Sequence, residues 1–592
     1  MKLDPIHLLT LLIALGVFIQ WIALRLRLPA LLLLLAAGIT LGPIAGVFDP
    51  NLEFGRFQNP VIRLAVAIIL FEGGLSLEFA EARFAGPVLW RLIVSGLVVG
   101  FGSVMALGVW IAGLSPATAA VLGAILVVTG PTVILPMLRS SRISLRPATL
   151  LKWEGIVNDP LGALMAFVVF EIAVLGGESG ESVGGLVFAV GLQALAGGAV
   201  GVAAGWILGR ALVRHQIAEH MKNPVMLGAV LVVYTLAEEI GHENGLFAVT
   251  TMGLVLANMK EHSIEDIRRF KEQIGSLLVA FLFLLLSARL EMDQLAKLIG
   301  TPLVLIAAIV FVARPLVGLV ATFRSGLPWN ERTLISWIAP RGIVAAAVAG
   351  AFQDPLVQAG YPDAELLVPI VFGVIIATVV LHGLTIRPLS RRLGLGFVEG
   401  TGILIVGAQT WGVALAQALT KAGAYVILAD SRYQRVSHAR REGMEVHYGD
   451  VLSDEAGIVL PLERVSWVLA ATDDDAYNSL VCTSFAQEIG RQHALQVSPS
   501  SLGHRKETAH ALMGLTPWGE LGTYAELSRR YWRHGSFKVT ALSEEFDWES
   551  LKARNRGAVF LFYVDREKLF VIGERTVPPE GSHVVYLTSE AA

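Results

Sequence analysis

The 592-residue sequence has little cysteine and little charge. Its single cysteine, Cys482, excludes an internal disulfide. Only 16% of the residues are charged and 54% are hydrophobic, which excludes an ordinary soluble protein of this length. The formal net charge of -3 gives no indication of nucleic-acid binding. Most of the chain is therefore expected to lie in a membrane.

The apolar character is uneven along the chain. Nearly all long uncharged runs lie before Leu389, and the sequence after it has the composition of a soluble protein. We predict a polytopic α-helical membrane domain over 1–392 and a linker over 393–400. A Rossmann-like α/β domain is predicted over 401–530, and a small β-rich α+β domain over 531–592.

The membrane domain is predicted to contain about thirteen helical spans, each near the ~20 residues that cross a bilayer. Loops rich in Arg and Lys alternate with loops rich in Asp and Glu, so the positive-inside rule places the N-terminus outside and the C-terminal region in the cytoplasm. We therefore expect a multi-pass protein of the cell (inner) membrane. The predicted spans are 6–24, 29–47, 61–77, 87–112, 116–138, 148–174, 184–213, 223–240, 244–259, 272–289, 296–323, 332–352 and 364–388.

Two carboxylates and one amide lie within the sixth predicted span, at Glu154, Asn158 and Asp159. An ionised group in the bilayer core costs at least ~2.5 to 3.5 kcal/mol, so such groups indicate function. Pro160 directly follows Asp159 and removes one helical hydrogen bond. The pattern predicts an ion site in which Asp159 alternately holds a proton and a metal cation, with Asn158 orienting or bridging.

Two spans are interrupted near mid-membrane by paired Pro and Gly residues. Gly130 and Pro131 interrupt the fifth span, and Pro340 and Gly342 interrupt the twelfth. Broken helices expose carbonyl groups and half-helix dipoles, which is typical of a transporter site built from inverted repeats. Taken singly, each break is equally compatible with a packing kink.

The expected cation ligands are hard oxygen atoms, as Na⁺ or K⁺ requires. We predict that Asp159 binds the ion together with Thr129 and Thr132, assisted by carbonyl groups freed near Gly130 and Ile156. Burial favours the protonated form of an aspartate, so cation and proton compete for one carboxylate.

Arg341 needs an anionic partner, because a guanidinium stays charged at any relevant pH. Its predicted partner is Glu154, in a structural ion pair that joins the sixth and twelfth spans. The alternative is that Arg341 pairs with Asp159 while Glu154 lies near the membrane interface, close to Lys152.

These residues resemble the monovalent cation:proton antiporter superfamily, in particular its sodium/proton exchanger branch with an Asn-Asp pair. The resemblance covers about residues 5–392. The matching residues are Glu154, Asn158 and Asp159 on the sixth helix, Thr129 and Pro131 on the fifth, and Arg341 and Gly342 on the twelfth.

The resemblance implies a secondary transporter rather than an enzyme. It further implies a homodimer, an elevator-like movement of a core domain, and exchange of one cation for one proton. One departure from the family pattern is Gly130, where many relatives have Asp before the proline. A carboxylate that helps to compensate the helix dipoles is therefore missing here.

The region after Thr401 alternates short β-rich runs with amphipathic segments and predicts a parallel βαβ series. Its first turn runs from Gly407 to Gly412 and has Gln409 in place of the middle glycine of the dinucleotide fingerprint. Asp430 ends the second predicted strand, where it is placed to bond ribose hydroxyls. Nucleotide binding is one interpretation, and a Rossmann fold kept only for dimerisation is the other.

The runs 448–450 and 471–474 resemble the regulator-of-K⁺-conductance domain over about residues 400–500, and the tail 537–587 resembles its small companion domain. The resemblance implies a regulatory adenine nucleotide or NAD(H) and no catalytic cofactor. The expected nucleotide-binding residues are Gly407, Gly412, Asp430, Asp450 and Asp473.

The favoured hypothesis is a cation/proton antiporter regulated by this cytoplasmic domain, with Na⁺ or K⁺, H⁺ and the lipid bilayer as partners. The alternatives are a K⁺-efflux system and a K⁺ channel-like protein gated by the same regulator. A K⁺ channel needs a filter such as Thr-Val-Gly-Tyr-Gly, which the sequence does not contain. A membrane oxidoreductase needs haem ligands or an electron-acceptor site, and the sequence has no pattern for either.

Overall fold

The chain forms two compact units, Met1–Gly396 and Phe397–Ala592. The computed structural model describes residues 5–26, 30–46, 48, 50, 58–141, 143–175, 183–241, 243–259, 264–290, 292–396, 402–453, 456, 460, 464–499, 514–566, 568–573 and 575–588. The proposed boundary between two domains near residue 530 stays a prediction.

The described part of the first unit is built from helices. They are α1 (Pro5–Leu26), α2 (Ala30–Ile39), α3 (Gln58–Leu75), α4 (Phe79–Ala85), α5 (Pro87–Ser95), α6 (Phe101–Ala112), α7 (Pro116–Ile125), α8 (Pro131–Ser141), α9 (Leu145–Leu175), α10 (Val183–Val213), α11 (Lys222–Glu238), α12 (Asn244–Ala257), α13 (Ile264–Ala288), α14 (Met292–Ala296), α15 (Thr301–Ala308), α16 (Arg314–Thr322), α17 (Trp329–Trp337), α18 (Ile343–Gln358) and α19 (Leu367–Arg392). Short π-helical turns at Thr40–Ile44, Gly96–Gly100 and Ile309–Ala313 continue α2, join α5 to α6 and join α15 to α16.

Among the described residues, five helices are long and apolar enough to cross a membrane. The pair Pro60–Leu75 and Phe79–Ala85, bent by 66°, adds a sixth if it is one span. Every segment predicted to span the membrane contains helix, and the number of crossings stays a prediction. The five helices are Pro87–Ala112, Leu145–Val174, Phe188–Val213, Thr301–Thr322 and Pro362–Arg392.

Two helices are interrupted where paired Pro and Gly indicated breaks. The chain leaves helical geometry between the end of α7 at Ile125 and the start of α8 at Pro131. It does so again between the end of α17 at Trp337 and the start of α18 at Ile343. Pro131 suits the first position of a helix, because the missing N–H has no intrahelical partner there. The breaks leave backbone carbonyl groups that need other partners.

Helix α9 passes the first break at very short range. A Cβ atom at Gly155 would lie 2.8 Å from Cγ2 of Ile134, and one at Gly162 would lie 2.7 Å from Cγ2 of Val128. These glycines are seven residues apart, so they share the helix face that also carries Asp159. The small residues therefore bring the middle of α9 against the interrupted segment.

The second unit contains a parallel sheet of five strands in the order β3-β2-β1-β4-β5 and an antiparallel sheet of four in the order β6-β9-β7-β8. The predicted parallel βαβ fold is confirmed. The strands are β1 (Gly402–Val406), β2 (Tyr425–Asp430), β3 (Glu445–Tyr448), β4 (Trp467–Ala470), β5 (Ala494–Gln496), β6 (Phe537–Ala541), β7 (Val559–Asp565), β8 (Lys568–Val571) and β9 (His583–Leu587). The α-helices are α20 (Thr410–Lys421), α21 (Tyr433–Arg441), α22 (Asp475–Ile489), α23 (Tyr524–Trp532) and α24 (Trp548–Arg554).

The two sheets share one hydrophobic core. Side chains of β1 and β2 pack in the same buried cluster as side chains of β7 and β9. Trp467 of β4 connects the two sheets, because its Nε1 donates to the Leu569 carbonyl of β8 at 2.9 Å. Trp518, between β5 and β6, donates from Nε1 to the Leu561 carbonyl of β7 at 3.3 Å.

Candidate functional site

Asp159 and Asn158 lie in the middle of α9, and both are 0% exposed. Neither carboxylate oxygen of Asp159 has a hydrogen-bond partner among the described residues, and the same holds for the side-chain amide of Asn158. An ionised carboxylate that is buried without a partner carries a large desolvation cost. A bound proton or a bound cation removes that cost, so either species suits this position.

Thr129 connects the first break to α9. Its hydroxyl donates to the Glu154 carbonyl at 3.3 Å, and its side chain is buried. At the same break, the Gly130 carbonyl accepts from the N–H groups of Val133 and Ile134, each at 3.2 Å. Thr132 lies in the first turn of α8, and its side chain is outside the described residues.

The predicted ion pair between Glu154 and Arg341 is wrong. Glu154 is paired with Arg314 at the start of α16, with Nη1–Oε1 and Nη2–Oε2 distances of 2.5 and 3.0 Å. Both side chains are buried. The two parallel contacts match the fork of the guanidinium to the carboxylate, which is the strongest geometry for such a pair. Lys152, the other cation considered for Glu154, instead pairs with Glu81.

Arg341 is buried, and its guanidinium donates hydrogen bonds to backbone carbonyl groups of the first break. Its Nη1 donates to the carbonyl groups of Val127 and Val128, each at 3.3 Å. Its own N–H donates to the Thr378 hydroxyl at 3.2 Å. The alternative pairing of Arg341 with Asp159 is not formed either, since both Asp159 oxygens lack a hydrogen-bond partner within the described chain.

The two arginines play equivalent roles at the two breaks. Arg314 Nη2 donates to the carbonyl groups of Ile335 at 2.7 Å and Ile338 at 2.6 Å, at the C-terminal end of α17. Arg341 does the same for the carbonyl groups that follow α7. The C-terminal end of a helix carries partial negative charge, so each guanidinium stabilises the end of one half-helix. Of Glu154 and Asp159, only Glu154 therefore has an arginine partner among the described residues.

Sequence reasoning missed two residues of this site. Arg314 is a cation inside an apolar span. The cost of burying a charge in the membrane was the sequence signal that could have identified it as part of the site. Gly96 begins the π-helical turn after α5, and a Cβ atom there would lie 2.6 Å from Nδ2 of Asn158. Only the tertiary packing reveals that this glycine makes room for the Asn158 amide.

The second unit contains a cavity of about 200 Å³ at the carboxyl ends of β1 and β2. Gly407, Asp430 and Asp473 line it, so three of the predicted nucleotide-binding residues come together. This edge is where ligands bind to doubly wound parallel sheets. The other lining residues are Val406, Ala429, Ser431, Arg432, Arg435, Gly449, Val451, Thr472, Asp474 and Tyr477.

Gln409 does not line the cavity. Its side chain turns into the protein, where it is 7% exposed and donates from Nε2 to the Ala471 carbonyl at 2.6 Å. The side chain that replaces the fingerprint glycine thus leaves the cavity open. Gly412 packs closely against the same turn. A Cβ atom at Gly412 would lie 2.7 Å from the Gly407 carbonyl oxygen.

Asp430 and Asp450 are held by local hydrogen bonds. Asp430 accepts from the N–H of Ala408 at 2.9 Å and pairs with Arg435 at 3.3 Å. Asp450 accepts from the hydroxyl of Tyr477 at 2.7 Å. Burial, together with this contact, raises the pKa of Tyr477 above its usual 10.0. Asp450 therefore reaches the cavity through Tyr477 and does not line it.

Comparison with known proteins finds matches for the first unit and for part of the second. A profile described as the transmembrane sodium/hydrogen exchanger matches residues 9–392, more than half of the chain. A TrkA-N domain profile matches residues 403–498. The solved structure of the sodium proton antiporter MjNhaP1 from Methanocaldococcus jannaschii at pH 8 has a TM-score of 0.57 at 23% identity, covering 66% of this chain and 98% of that one. The membrane unit thus has the same fold.

Two curated relatives are named as antiporters. The K(+)/H(+) antiporter NhaP2 of Shewanella sp. (strain MR-4) is 27% identical over 396 residues, which cover 64% of this chain and 65% of that protein. The Na(+)/H(+) antiporter ApNhaP of Aphanothece halophytica is 25% identical over 354 residues, 57% of this chain and 65% of that protein. The chain thus matches 65% of the length of each relative. Because the exchanger profile covers most of the chain, the protein belongs to the sodium/hydrogen exchanger family and carries a TrkA-N domain after its membrane unit.

Proposed function

We propose that the protein is a secondary active transporter that exchanges a monovalent cation, Na⁺ or K⁺, for H⁺ across the cell membrane. One observation carries this proposal: Asp159 is a fully buried carboxylate without a hydrogen-bond partner in the described chain, in a unit of exchanger fold. The nearby cations already have other partners, since Arg314 pairs with Glu154 and Arg341 bonds backbone carbonyl groups.

Competition for Asp159 provides the coupling. In a low-dielectric site the carboxylate is stable when protonated or when bound to a cation, and both states carry the same net charge. If only these neutralised states cross the membrane, one cation moves in one direction for each proton in the other. Asn158 lies beside Asp159 and supplies an amide oxygen, while Thr129 fixes the break to α9.

The movement is proposed to be of the elevator type, with the broken helices and α9 moving together. Arg314 supports this grouping, because it connects Glu154 of α9 to the end of α17. Arg341 connects the second break to the first. These buried contacts are costly to separate, so the three elements are expected to move as one body.

The cation is proposed to be Na⁺ or K⁺, the ions that the names of the two relatives carry. We further propose about thirteen membrane crossings, an outside N-terminus, a cytoplasmic TrkA-N domain and a homodimer. The run of Arg391 and Arg392 at the end of α19 supports the cytoplasmic placement through the positive-inside rule.

Proton flux in proteoliposomes tests the antiport. The full-length protein is reconstituted with a pH-sensitive dye inside, and Na⁺ or K⁺ gradients are imposed separately. Wild type is expected to move protons with at least one of the two ions, and Asp159→Asn with neither. The matched control is Asp354→Asn, which makes the same substitution at an exposed position on α18 and should retain exchange. Normal cation-driven flux in Asp159→Asn would contradict the proposal.

The regulatory ligand is proposed to be an adenine nucleotide or NAD(H), bound in the cavity of the second unit. Gly407 lets the backbone adopt a φ of 118° at the turn, and Asp430 stands at the end of β2, where a ribose diol is expected. Arg432 and Arg435 line the same cavity and suit phosphate oxygens. No catalytic cofactor is proposed.

Nucleotide binding is testable by calorimetry on the full-length protein with ATP, ADP, NAD⁺ and NADH. At least one is expected to bind wild type, and Asp430→Ala should weaken it by about tenfold or more, as loss of a hydrogen-bonded charged group predicts. Glu544→Gln, at an exposed position that does not line the cavity, is the control. The absence of heat with all four ligands would favour a Rossmann fold kept for assembly alone.

A further inference from the structure

A second and larger cavity lies on the membrane unit, and none of the residues that line it belongs to the ion site. It measures about 580 Å³ and is bounded by α16, α17 and α19. This volume is in the range of small-molecule sites, ~300 to 1,000 Å³. Its walls are mostly apolar and include Leu319, Trp329, Trp337 and Leu389. We call it the α16–α19 groove.

Two arginines line this groove, Arg332 on α17 and Arg392 at the end of α19. Within the described residues no hydrogen bond or ion pair of either guanidinium is formed, and the Nε of Arg332 is buried without a partner. Ser336, which is 8% exposed and also lines the groove, has an unpartnered hydroxyl. A buried donor without an acceptor is destabilising, and Arg332 Nε and the Ser336 hydroxyl are two such donors, so the groove suits an anionic, oxygen-rich partner.

The apolar and cationic parts of the groove follow the order of a membrane interface. Arg392 ends the last helix before the TrkA-N unit, and Trp329 begins α17 with 70% of its surface exposed. Tryptophans and basic residues collect at the level of lipid headgroups. Basic pockets between membrane helices on the cytoplasmic side bind anionic headgroups. The cytoplasmic placement rests on the proposed topology.

We propose that the α16–α19 groove binds an anionic phospholipid of the cytoplasmic leaflet. The phosphate accepts from Arg332 and Arg392, and an acyl chain lies along the apolar wall that includes Leu319. The lipid also stabilises α17, because Ser336 and Trp337 of the groove are neighbours of the carbonyl groups that Arg314 holds. A bound lipid therefore stabilises the first half of the broken helix that α17 and α18 form.

The first test is lipid retention by the purified full-length protein in native mass spectrometry. Phosphatidylglycerol is added in competition with phosphatidylcholine at equal concentration. Wild type is expected to retain phosphatidylglycerol preferentially. The double variant Arg332→Gln/Arg392→Gln should lose about 30-fold in affinity, since each arginine near a membrane surface contributes about fivefold. Arg391→Gln, in the same last turn but outside the groove, should behave as wild type.

A second variant keeps the test valid if the double variant Arg332→Gln/Arg392→Gln does not fold. Leu319→Trp keeps both arginines and fills the groove at a half-exposed position, so it should also reduce phosphatidylglycerol retention. The thermal midpoint of wild type should rise on adding phosphatidylglycerol and should not rise with inorganic phosphate at the same concentration.

Three results overturn the proposal. One is equal retention of the two lipids by wild type, and another is unchanged retention by both the double variant and Leu319→Trp. The third is equal stabilisation by inorganic phosphate, which would assign the arginines to a soluble anion.

Discussion

The ion pair between Glu154 and Arg314 gives the sharpest prediction about the architecture of the site. Both side chains are buried, and two contacts of 2.5 and 3.0 Å join them. Glu154→Gln removes the anion and leaves the guanidinium buried and uncompensated, which typically costs ~3 to 5 kcal/mol. Arg314→Met should cost more. It leaves Glu154 unpaired and also removes the donor to the carbonyl groups of Ile335 and Ile338, at ~1 to 3 kcal/mol for each group left unsatisfied.

A double-mutant cycle isolates the interaction energy between Glu154 and Arg314. The variant carrying Glu154→Gln and Arg314→Met has no unpaired charge, so it should be less destabilised than the sum of the single variants by ~2 to 3 kcal/mol. The matched cycle uses Glu154→Gln with Arg341→Met. It should show a clearly smaller coupling, because Arg341 donates to Val127 and Val128.

The assay is unfolding of the full-length protein by SDS in mixed micelles, followed through tryptophan fluorescence. Free energies of unfolding are compared for wild type, the single variants and the two double variants. A larger coupling of Glu154 with Arg341 than with Arg314 would refute the assigned pairing and restore the one inferred from the sequence.

Two further predictions concern a glycine beside the ion site and the single cysteine. Gly96→Ala places a Cβ atom 2.6 Å from the Asn158 amide and should lower cation/proton exchange by about tenfold or more, as displacement of a positioning group does. Gly102→Ala meets open space and should retain exchange, measured in the same proteoliposomes. Burial raises the pKa of the Cys482 thiol from 9.0 to about 12. The folded state thus holds the proton more tightly, so this contribution to stability is complete below pH 9 and is lost as the pH rises from 9 towards 12. Labelling by N-ethylmaleimide at pH 8 should therefore be slow in the folded protein and fast in denaturant, and equally fast labelling in both would contradict the burial.

The fold was largely predictable because its signals are local. Uncharged runs located the helices of the membrane unit, and Pro with Gly located both interruptions. In the second unit, alternation of β-rich and amphipathic segments predicted the parallel sheet. Each of these features depends on residues that are neighbours in sequence, where periodicity and backbone preferences act directly.

The partners of charged groups were not predictable, because they depend on packing. The sequence indicated Arg341 as the partner of Glu154, and only the approach of α16 to α9 brings Arg314 into that place. The orientation of the Gln409 side chain was also not predictable from the neighbouring sequence. A bulky residue in a phosphate turn suggests obstruction, yet a carbonyl acceptor at Ala471 draws its amide into the protein.

The central claim is that one carboxylate, Asp159, holds either the proton or the cation. Proton release on cation binding measures this directly. Purified protein in weakly buffered detergent solution is mixed with NaCl or KCl, and the pH change is followed with an indicator dye, with choline chloride as the ionic-strength control. Wild type should release about one proton per protomer with the transported ion, since the two ligands share one site. Asp159→Asn should release none, and cation-specific proton release from Asp159→Asn equal to that of wild type would contradict the account.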